Sequence, residues 1–263
     1  MRGVSFALSL ALLVAVPRFA AAADATVSDI ARQLHATQAG QHLDFADKNL
    51  AKLDLSDLDF KAAGFARANL FGADLSGANL TGSDLSGAML DRVTIVGTSF
   101  QRANLAGASL LRPSVFSTLS QNATEAPNFK QASMRGIRMF GRFTRADFSG
   151  ADLTDATCAP FGKTGFIEHI WRTELSGANL SGANLTRADM THALLTFADL
   201  RGANLRQVIL KDADLTGADL RGADMTGADV SGADLSGARL QDVVGLETIK
   251  GKAEALNMDK ALR

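Results

Sequence analysis

Tyrosine is missing from the sequence, and tryptophan and cysteine occur once each, as Trp171 and Cys158. A single cysteine excludes an internal disulfide as a source of stability. Aromatic residues make up only 6% of the chain. So few large rings are typical of a narrow interior, which has little room for them.

The chain also lacks an excess of charge of either sign, with 27 Lys and Arg against 28 Asp and Glu. Within residues 1–23 only Arg2 and Arg18 are charged, so the remainder has 25 basic and 28 acidic residues, a net charge of −3. Such a small net charge gives no electrostatic reason to expect a nucleic acid as partner.

A five-residue phrase is what the sequence has in abundance, most regularly in Ala213–Ala238. Its large apolar residues are spaced five apart: Leu215, Leu220, Met225, Val230 and Leu235. Steps of five would spread these side chains around a helix and place them on alternate faces of a strand. The spacing instead fits a chain that turns a corner every five residues and points the same two positions inward each time.

This phrase resembles the repeat of the pentapeptide-repeat family, A(D/N)LXX, over nearly all of residues 45–240. The resemblance implies an all-β solenoid, a right-handed quadrilateral β-helix in which four pentapeptides form one square coil. Side chains twenty residues apart should then stack, for example Phe45 on Phe65 and Phe60 two coils from Phe100.

We divide the chain into six segments by its departures from the phrase. They are a signal peptide (1–23), an N-terminal helical cap (24–43), a first repeat block (44–115), irregular repeats with two loop insertions (116–173), a second repeat block (174–242), and a C-terminal helical cap or tail (243–263). The insertions are predicted at residues 116–128 and 159–173, where the phrase breaks.

The N-terminus predicts export from the cytoplasm. An apolar run from Val4 to Val16 precedes the small residues that end at Ala23, after which cleavage is expected. The run is too short to span a bilayer comfortably. The mature protein is therefore expected in the periplasm or outside the cell, with no stable membrane insertion after cleavage; retention of the segment as an anchor, or its burial as a helix, are the alternatives.

Two short helices are predicted at the ends of the solenoid. Val27, Ile30 and Leu34 share one helix face, with Thr26 or Ser28 as N-cap. Leu246, Ile249 and the apolar residues that follow suggest a second helix. A cap at each end would cover an open strand edge.

The central residues of the phrase form the predicted core. Alternation of a large central residue with a small one two positions earlier fills a narrow axis. The central positions chosen to represent this core are Phe65, Leu70, Leu75, Leu80, Leu85, Leu180, Leu185, Leu200, Leu205, Leu215 and Leu220.

The recurring Asp or Asn before each central residue has two interpretations. Stacked carboxylates, such as Asp214 with Asp234, could form an acidic ladder that binds cations or mimics a phosphate backbone. Alternatively, each short side chain accepts backbone N–H groups at its corner. The interchange of Asp with uncharged Asn favours the second interpretation.

The sequence shows no catalytic pattern, and we expect neither an enzyme nor a cofactor nor a metal. Cys158 occupies a central position, which predicts a buried, inert thiol. Gly162-Lys163-Thr164 resembles the end of a phosphate-binding loop, but Thr157 stands where its first glycine is needed. Glu168 and His169 are the only residues that suggest a small metal or hydrolase site in the second insertion.

The leading hypothesis is a non-catalytic extracytoplasmic scaffold that binds another protein through its insertions. The residues proposed to contact the partner are Phe161, Phe166, His169, Trp171 and Arg172. A homodimer is also compatible with the sequence. The resemblance implies one alternative, because some pentapeptide-repeat proteins mimic duplex DNA and inhibit DNA gyrase; the export signal and small net charge argue against it.

Overall fold

The computed structural model describes residues 23–36, 42–116, 123–159 and 172–262. The predicted signal peptide, except Ala23, lies outside these residues. Nearly all of the described chain forms one solenoid. Its walls consist of short extended segments that pair in parallel with the coil before and the coil after, mostly at intervals of twenty residues.

Four columns of paired residues run along the solenoid and define its four faces. Face 1 starts at Asp44, face 2 at Asn49, face 3 at Asp54 and face 4 at Asp59. The column of face 1 contains Asp44, Gly64, Asp84, Asn104, Ser133, Asp152, Asn184, Asn204, Asp224 and Val244. The solenoid therefore has ten coils, and the nine spacings between them, at about 4.8 Å each, give a length of about 43 Å.

Each five-residue unit is a short wall segment followed by a tight turn. In the unit Ala213–Gly217, Ala213 and Leu215 are buried and Asp214 lies between them in the wall. The Ala218 N–H donates to the Leu215 carbonyl at 2.9 Å, which closes the turn. Gly217 at the corner has φ +67°, the left-handed conformation that lets the chain turn after three extended residues.

The interior is one continuous apolar column. All eleven core residues named from the sequence are buried, with at most 1% of their surface exposed. Phenylalanines in successive coils stack face to face, with ring centroids 5.1 Å apart for Phe45 and Phe65 and 4.8 Å apart for Phe129 and Phe148. Equivalent positions of successive coils therefore stack in columns, at the predicted interval of twenty residues for Phe45 and Phe65 and at nineteen for Phe129 and Phe148.

The column of face 4 records each change of register. The interval is 20 residues from Asn79 to Ser99, 29 from Ser99 to Asn128, 19 from Asn128 to Asp147, and 32 from Asp147 to Asn179. Relative to twenty, these intervals contain nine additional residues, one fewer residue, and twelve additional residues. The parallel pairing resumes after each change, so the solenoid continues through both insertions.

The shortened unit lies beside the only strands longer than a single pairing in the described chain. Strand β1 (Ser109–Leu111) pairs in parallel with strand β2 (Arg138–Phe140). Gly141 follows β2 with φ +142°, and a Cβ there would lie 3.1 Å from Pro113. This corner is one residue shorter than a regular corner, and it therefore needs a glycine.

The N-terminal helix α1 (Val27–Ala36) forms close to where the sequence predicts it. Thr26 is the N-cap, since the Asp29 N–H donates to its hydroxyl at 3.1 Å. Ile30 is buried in the common core. Just before the helix, the Asp24 N–H donates to the Asn49 carbonyl and the Asp24 carboxylate accepts from the Asn49 N–H. Asp24 thus pairs with the open edge of the first coil.

The predicted C-terminal helix is wrong for residues 243–262. The solenoid continues there in steps of six, through paired residues Val244, Lys250, Leu256 and Leu262. The helical content is one 3-10 turn, Met258–Lys260. Positive φ values of +83° at Gly245, +70° at Gly251 and +54° at Asn257 are incompatible with a regular helix.

These six-residue units close the end of the solenoid. Gly245, Gly251 and Asn257 replace the large central residue, and Leu246 and Met258 pack against the last core layer. The spacing of Leu246 and Ile249 suggested one helix face but arises from this closure. No helix in the described ranges is long and apolar enough to cross a membrane.

Candidate interaction surface

The two insertions interrupt the wall of the solenoid at the two edges of the same face. The first lies between Ser114 on face 3 and Asn128 on face 4, in the fourth coil. The second lies between Thr157 on face 2 and Glu174 on face 3, in the sixth coil. Face 3 of coils four to six is therefore bordered by an insertion at each edge.

The base of the first insertion is held by a regular corner contact. The Gly97 N–H donates to the Glu125 carbonyl at 2.7 Å. At regular corners the equivalent N–H donates to the carbonyl of the residue directly after the central residue of the next coil. Glu125 thus occupies the corner position that Phe116 would otherwise hold. The nine additional residues are consequently 116–124.

A side chain closes the base of the second insertion. The buried Thr173 hydroxyl donates to the Cys158 carbonyl at 2.6 Å, and at regular corners this carbonyl accepts a backbone N–H. The twelve additional residues are 160–171, because Ala159 and Arg172 remain as the two corner residues. The hydroxyl holds the corner together across the insertion.

Most of the residues proposed to contact a partner lie outside the described part of the chain. These are Phe161, Phe166, His169 and Trp171, together with the neighbouring Glu168. Arg172 is described and lies half-buried at the foot of the second insertion. Among described residues, no group of His, Cys, Asp or Glu could hold a metal ion.

An ion pair crosses face 3 between the two insertions. Arg142 of the fifth coil donates to Glu174 of the sixth at 3.0 Å. Both are outward-facing wall residues, at a position where most units carry Asp or Asn. The pair is half-exposed, so it contributes little to stability.

An exposed aromatic side chain that sequence reasoning missed lies on the edge between faces 3 and 4. Phe197 is 73% exposed and occupies a corner position with φ +56°. Its ring lies over Gly217, where a Cβ would be 2.5 Å from the ring. The signal was present in the sequence, because most corner positions with positive φ carry glycine or a polar residue.

The wall carboxylates serve mainly as corner caps. The Ser76 N–H donates to Asp74 at 2.9 Å and the Thr81 N–H to Asn79 at 3.1 Å. The same bond recurs in both repeat blocks. The prediction that Asp and Asn cap backbone N–H groups is confirmed.

Arginines neutralise part of the acidic ladder. Arg201 and Arg221, two residues after Asp199 and Asp219, each form a two-pronged ion pair with that carboxylate. Hydrogen bonds from these guanidinium groups lower the pKa of both carboxyls. A cation-binding ladder is therefore not available on this stretch of face 4.

The only cysteine is unsuited to act as a nucleophile. Cys158 is fully buried, and desolvation by burial raises the pKa of its thiol to about 12. A thiol of this kind is protonated at neutral pH and is a poor nucleophile, as its central position predicted.

Comparison with known proteins places these features in a family. The family model described as pentapeptide repeats matches in eight copies, over residues 68–107, 173–212 and 210–242. Among curated proteins, none matches the sequence.

Solved structures that are similar to this chain include HetL and QnrB1. HetL is a pentapeptide-repeat protein involved in heterocyst differentiation regulation from the cyanobacterium Nostoc sp. strain PCC 7120. It is 25% identical over 90% of this chain and 94% of its own, with a TM-score of 0.60. The other is a trypsin-treated variant of QnrB1, a plasmid-mediated fluoroquinolone resistance protein. It is 19% identical over 68% of this chain and 88% of its own, with a TM-score of 0.48; a likeness this distant says nothing about function.

Proposed function

The chain belongs to the pentapeptide-repeat family, and we propose that it is a non-catalytic scaffold that binds another protein outside the cytoplasm. The observation that carries the proposal is the placement of the two insertions. The solenoid is otherwise built from nearly uniform units, and the insertions interrupt it at the two edges of one face.

A rigid solenoid suits this role because the insertions cost the fold little. Pairing resumes directly after each of them, and their bases are held by the Gly97–Glu125 and Thr173–Cys158 hydrogen bonds. Loops inserted at the corners of a regular wall hold their recognition residues on a rigid support. The similar protein HetL has a regulatory role by its description, which agrees with binding rather than catalysis.

The extracytoplasmic location rests on the signal-peptide pattern of residues 1–23. The mass of the protein isolated from its host tests it, because cleavage after Ala23 leaves Asp24 as the first residue. A protein that retains Met1 and stays in the cytoplasm would exclude this location.

Deletion of residues 160–171 tests the binding surface. The variant joins Ala159 to Arg172 and restores a five-residue unit with arginine at the corner, as at Arg67 and Arg187. We expect an unchanged circular dichroism spectrum and melting temperature. Partners captured by the wild-type protein from an envelope extract, identified by mass, should be lost.

Deletion of residues 116–124 tests the first insertion in the same way, since it likewise restores a regular unit through Glu125. Loss of the partner in either deletion places the interface at face 3. Full capture by both variants would contradict the proposed surface.

A further inference from the structure

Basic residues are concentrated in the middle of the solenoid. Between Asp91 and Asp147 the chain has eight basic residues and one acidic residue, Glu125, whereas the rest of the chain has 19 basic and 27 acidic residues. Residues 117–122 add no charge to this stretch. The eight residues, here called the arginine belt, are Arg92, Arg102, Arg112, Lys130, Arg135, Arg138, Arg142 and Arg145, and all are exposed.

The fold does not require this pattern. Ten successive outward wall positions, from Met89 to Arg142, lack a carboxylate, although Asp84 and Asp147 occupy the same position on either side. Asp and Asn accept the same corner hydrogen bond, as Asp74 and Asn79 show. Structural need therefore does not explain why Asp is missing from these units.

The belt surrounds the solenoid and is short along its axis. Arg92 and Arg112 lie one coil apart on the edge between faces 2 and 3, and Arg102 and Lys130 lie on the opposite edge. Arg142 is on face 3. From the third to the fifth coil is two coil spacings, about 10 Å.

Part of the belt is free of ion pairs within the described chain. Arg135 and Arg142 pair with Asp152 and Glu174 of the sixth coil. Arg92, Arg102 and Lys130 form no ion pair with any described carboxylate, and Arg92 lies 5.9 Å from the centre of the Phe71 ring. These three charges face solvent on opposite sides of the prism.

We propose that the arginine belt binds an extended acidic segment of a partner protein. A single extended chain is about 5 Å wide, so it fits a band about 10 Å high. Seven of the eight belt residues are arginine, whose guanidinium group matches a carboxylate in two-pronged geometry. The acidic coils above and below confine an acidic segment to the belt.

Other anionic partners fit the belt less well. A membrane surface is flat and would touch one side of a belt that surrounds the prism. A DNA duplex, whose major groove alone is about 12 Å wide, would meet the acidic coils on both sides. Phe100, Phe129 and Phe143, in the coils that carry the belt, are buried and cannot stack on bases. The belt also interrupts the continuous negative surface that mimicry of DNA needs.

Binding of a fluorescent polyglutamate peptide to the purified protein at low ionic strength tests the inference. The variant carries Arg92→Gln, Arg102→Gln and Lys130→Gln; glutamine already occupies such corner positions at Gln101 and Gln131. The matched control carries Lys52→Gln, Lys61→Gln and Lys211→Gln, which lie at corners outside the belt. We expect the belt variant to bind about tenfold more weakly and the control to stay within about twofold of wild type.

Three results of the binding assay would overturn the inference: no polyglutamate binding by the wild type, equal loss in both triple variants, or tighter binding of a DNA duplex than of polyglutamate. Melting temperatures of the two variants show that each is folded. The inference rests on the proposed scaffold function but is separable from it. A partner lost by deletion of residues 160–171 and kept by the belt variant would support the insertion surface and exclude the belt.

Discussion

At the scale of the residue, one side-chain oxygen accepts a backbone N–H at most corners. The Thr216 N–H donates to Asp214 at 2.9 Å, and aspartate or asparagine makes the same contact in other units, for example Asn204 with the Arg206 N–H and Asp224 with the Thr226 N–H. Because only the oxygen is needed, the two residue types interchange along the repeat. The carboxylate charge is a by-product of this cap unless an arginine or lysine pairs with it.

Substitution of Asp214 separates the cap from the charge. Asp214→Ala removes the acceptor for the Thr216 N–H and should lower the free energy of unfolding by about 1 kcal/mol. Asp214→Asn keeps the oxygen and should remain close to wild type. Urea denaturation of the three proteins measures both changes. Equal destabilisation by Ala and Asn would mean that the charge, not the cap, matters at this corner.

At the scale of the element, the last coil depends on glycine where the regular units do not. A Cβ on Gly245 would lie 2.6 Å from the Thr226 backbone, and its φ is +83°. Gly222 has a similar positive φ of +67°, but a Cβ there would point into open space. The pair therefore distinguishes backbone strain from steric conflict.

We expect Gly222→Ala to cost about 1 kcal/mol through its positive φ alone. Gly245→Ala should cost about 1–3 kcal/mol more, because the last coil must move away from Thr226. Hydrogen exchange should show the added loss of protection in residues 243–262. An equal cost for both variants would mean that the last coil closes the solenoid without close contact.

The sequence was sufficient for the elements whose period is strict. Leu215 and Leu220 could be placed inward because only a corner every five residues explains their spacing, and the breaks near residues 116 and 159 follow from its loss. The last coil could not be predicted, because Leu246 and Ile249 mimic a helix face once the step becomes six. The arginine belt was missed because charge was totalled over the chain, whereas neighbouring coils bring charges together.

At the scale of the whole molecule, ionised carboxylates contribute to the stability of the acidic coils at neutral pH. The Arg201 and Arg221 guanidinium groups lower the pKa of Asp199 and Asp219, and the Thr226 hydroxyl lowers that of Asp224. Each folded-state pKa lies below its unfolded value. These carboxylates therefore stabilise the fold above the unfolded pKa, and the contribution is lost as pH falls through the folded pKa.

Acidification should consequently destabilise the solenoid as a unit. We expect a nearly constant melting temperature from about pH 8 to pH 5 and a steady fall from about pH 5 to pH 2. Protonation also leaves the arginine belt and the other basic residues without opposing charge, so added salt should restore part of the loss by screening their repulsion. Circular dichroism melts at low and high salt measure both effects. A melting temperature that stays constant down to pH 2 would show that the corner carboxylates contribute no more to stability when ionised than when protonated.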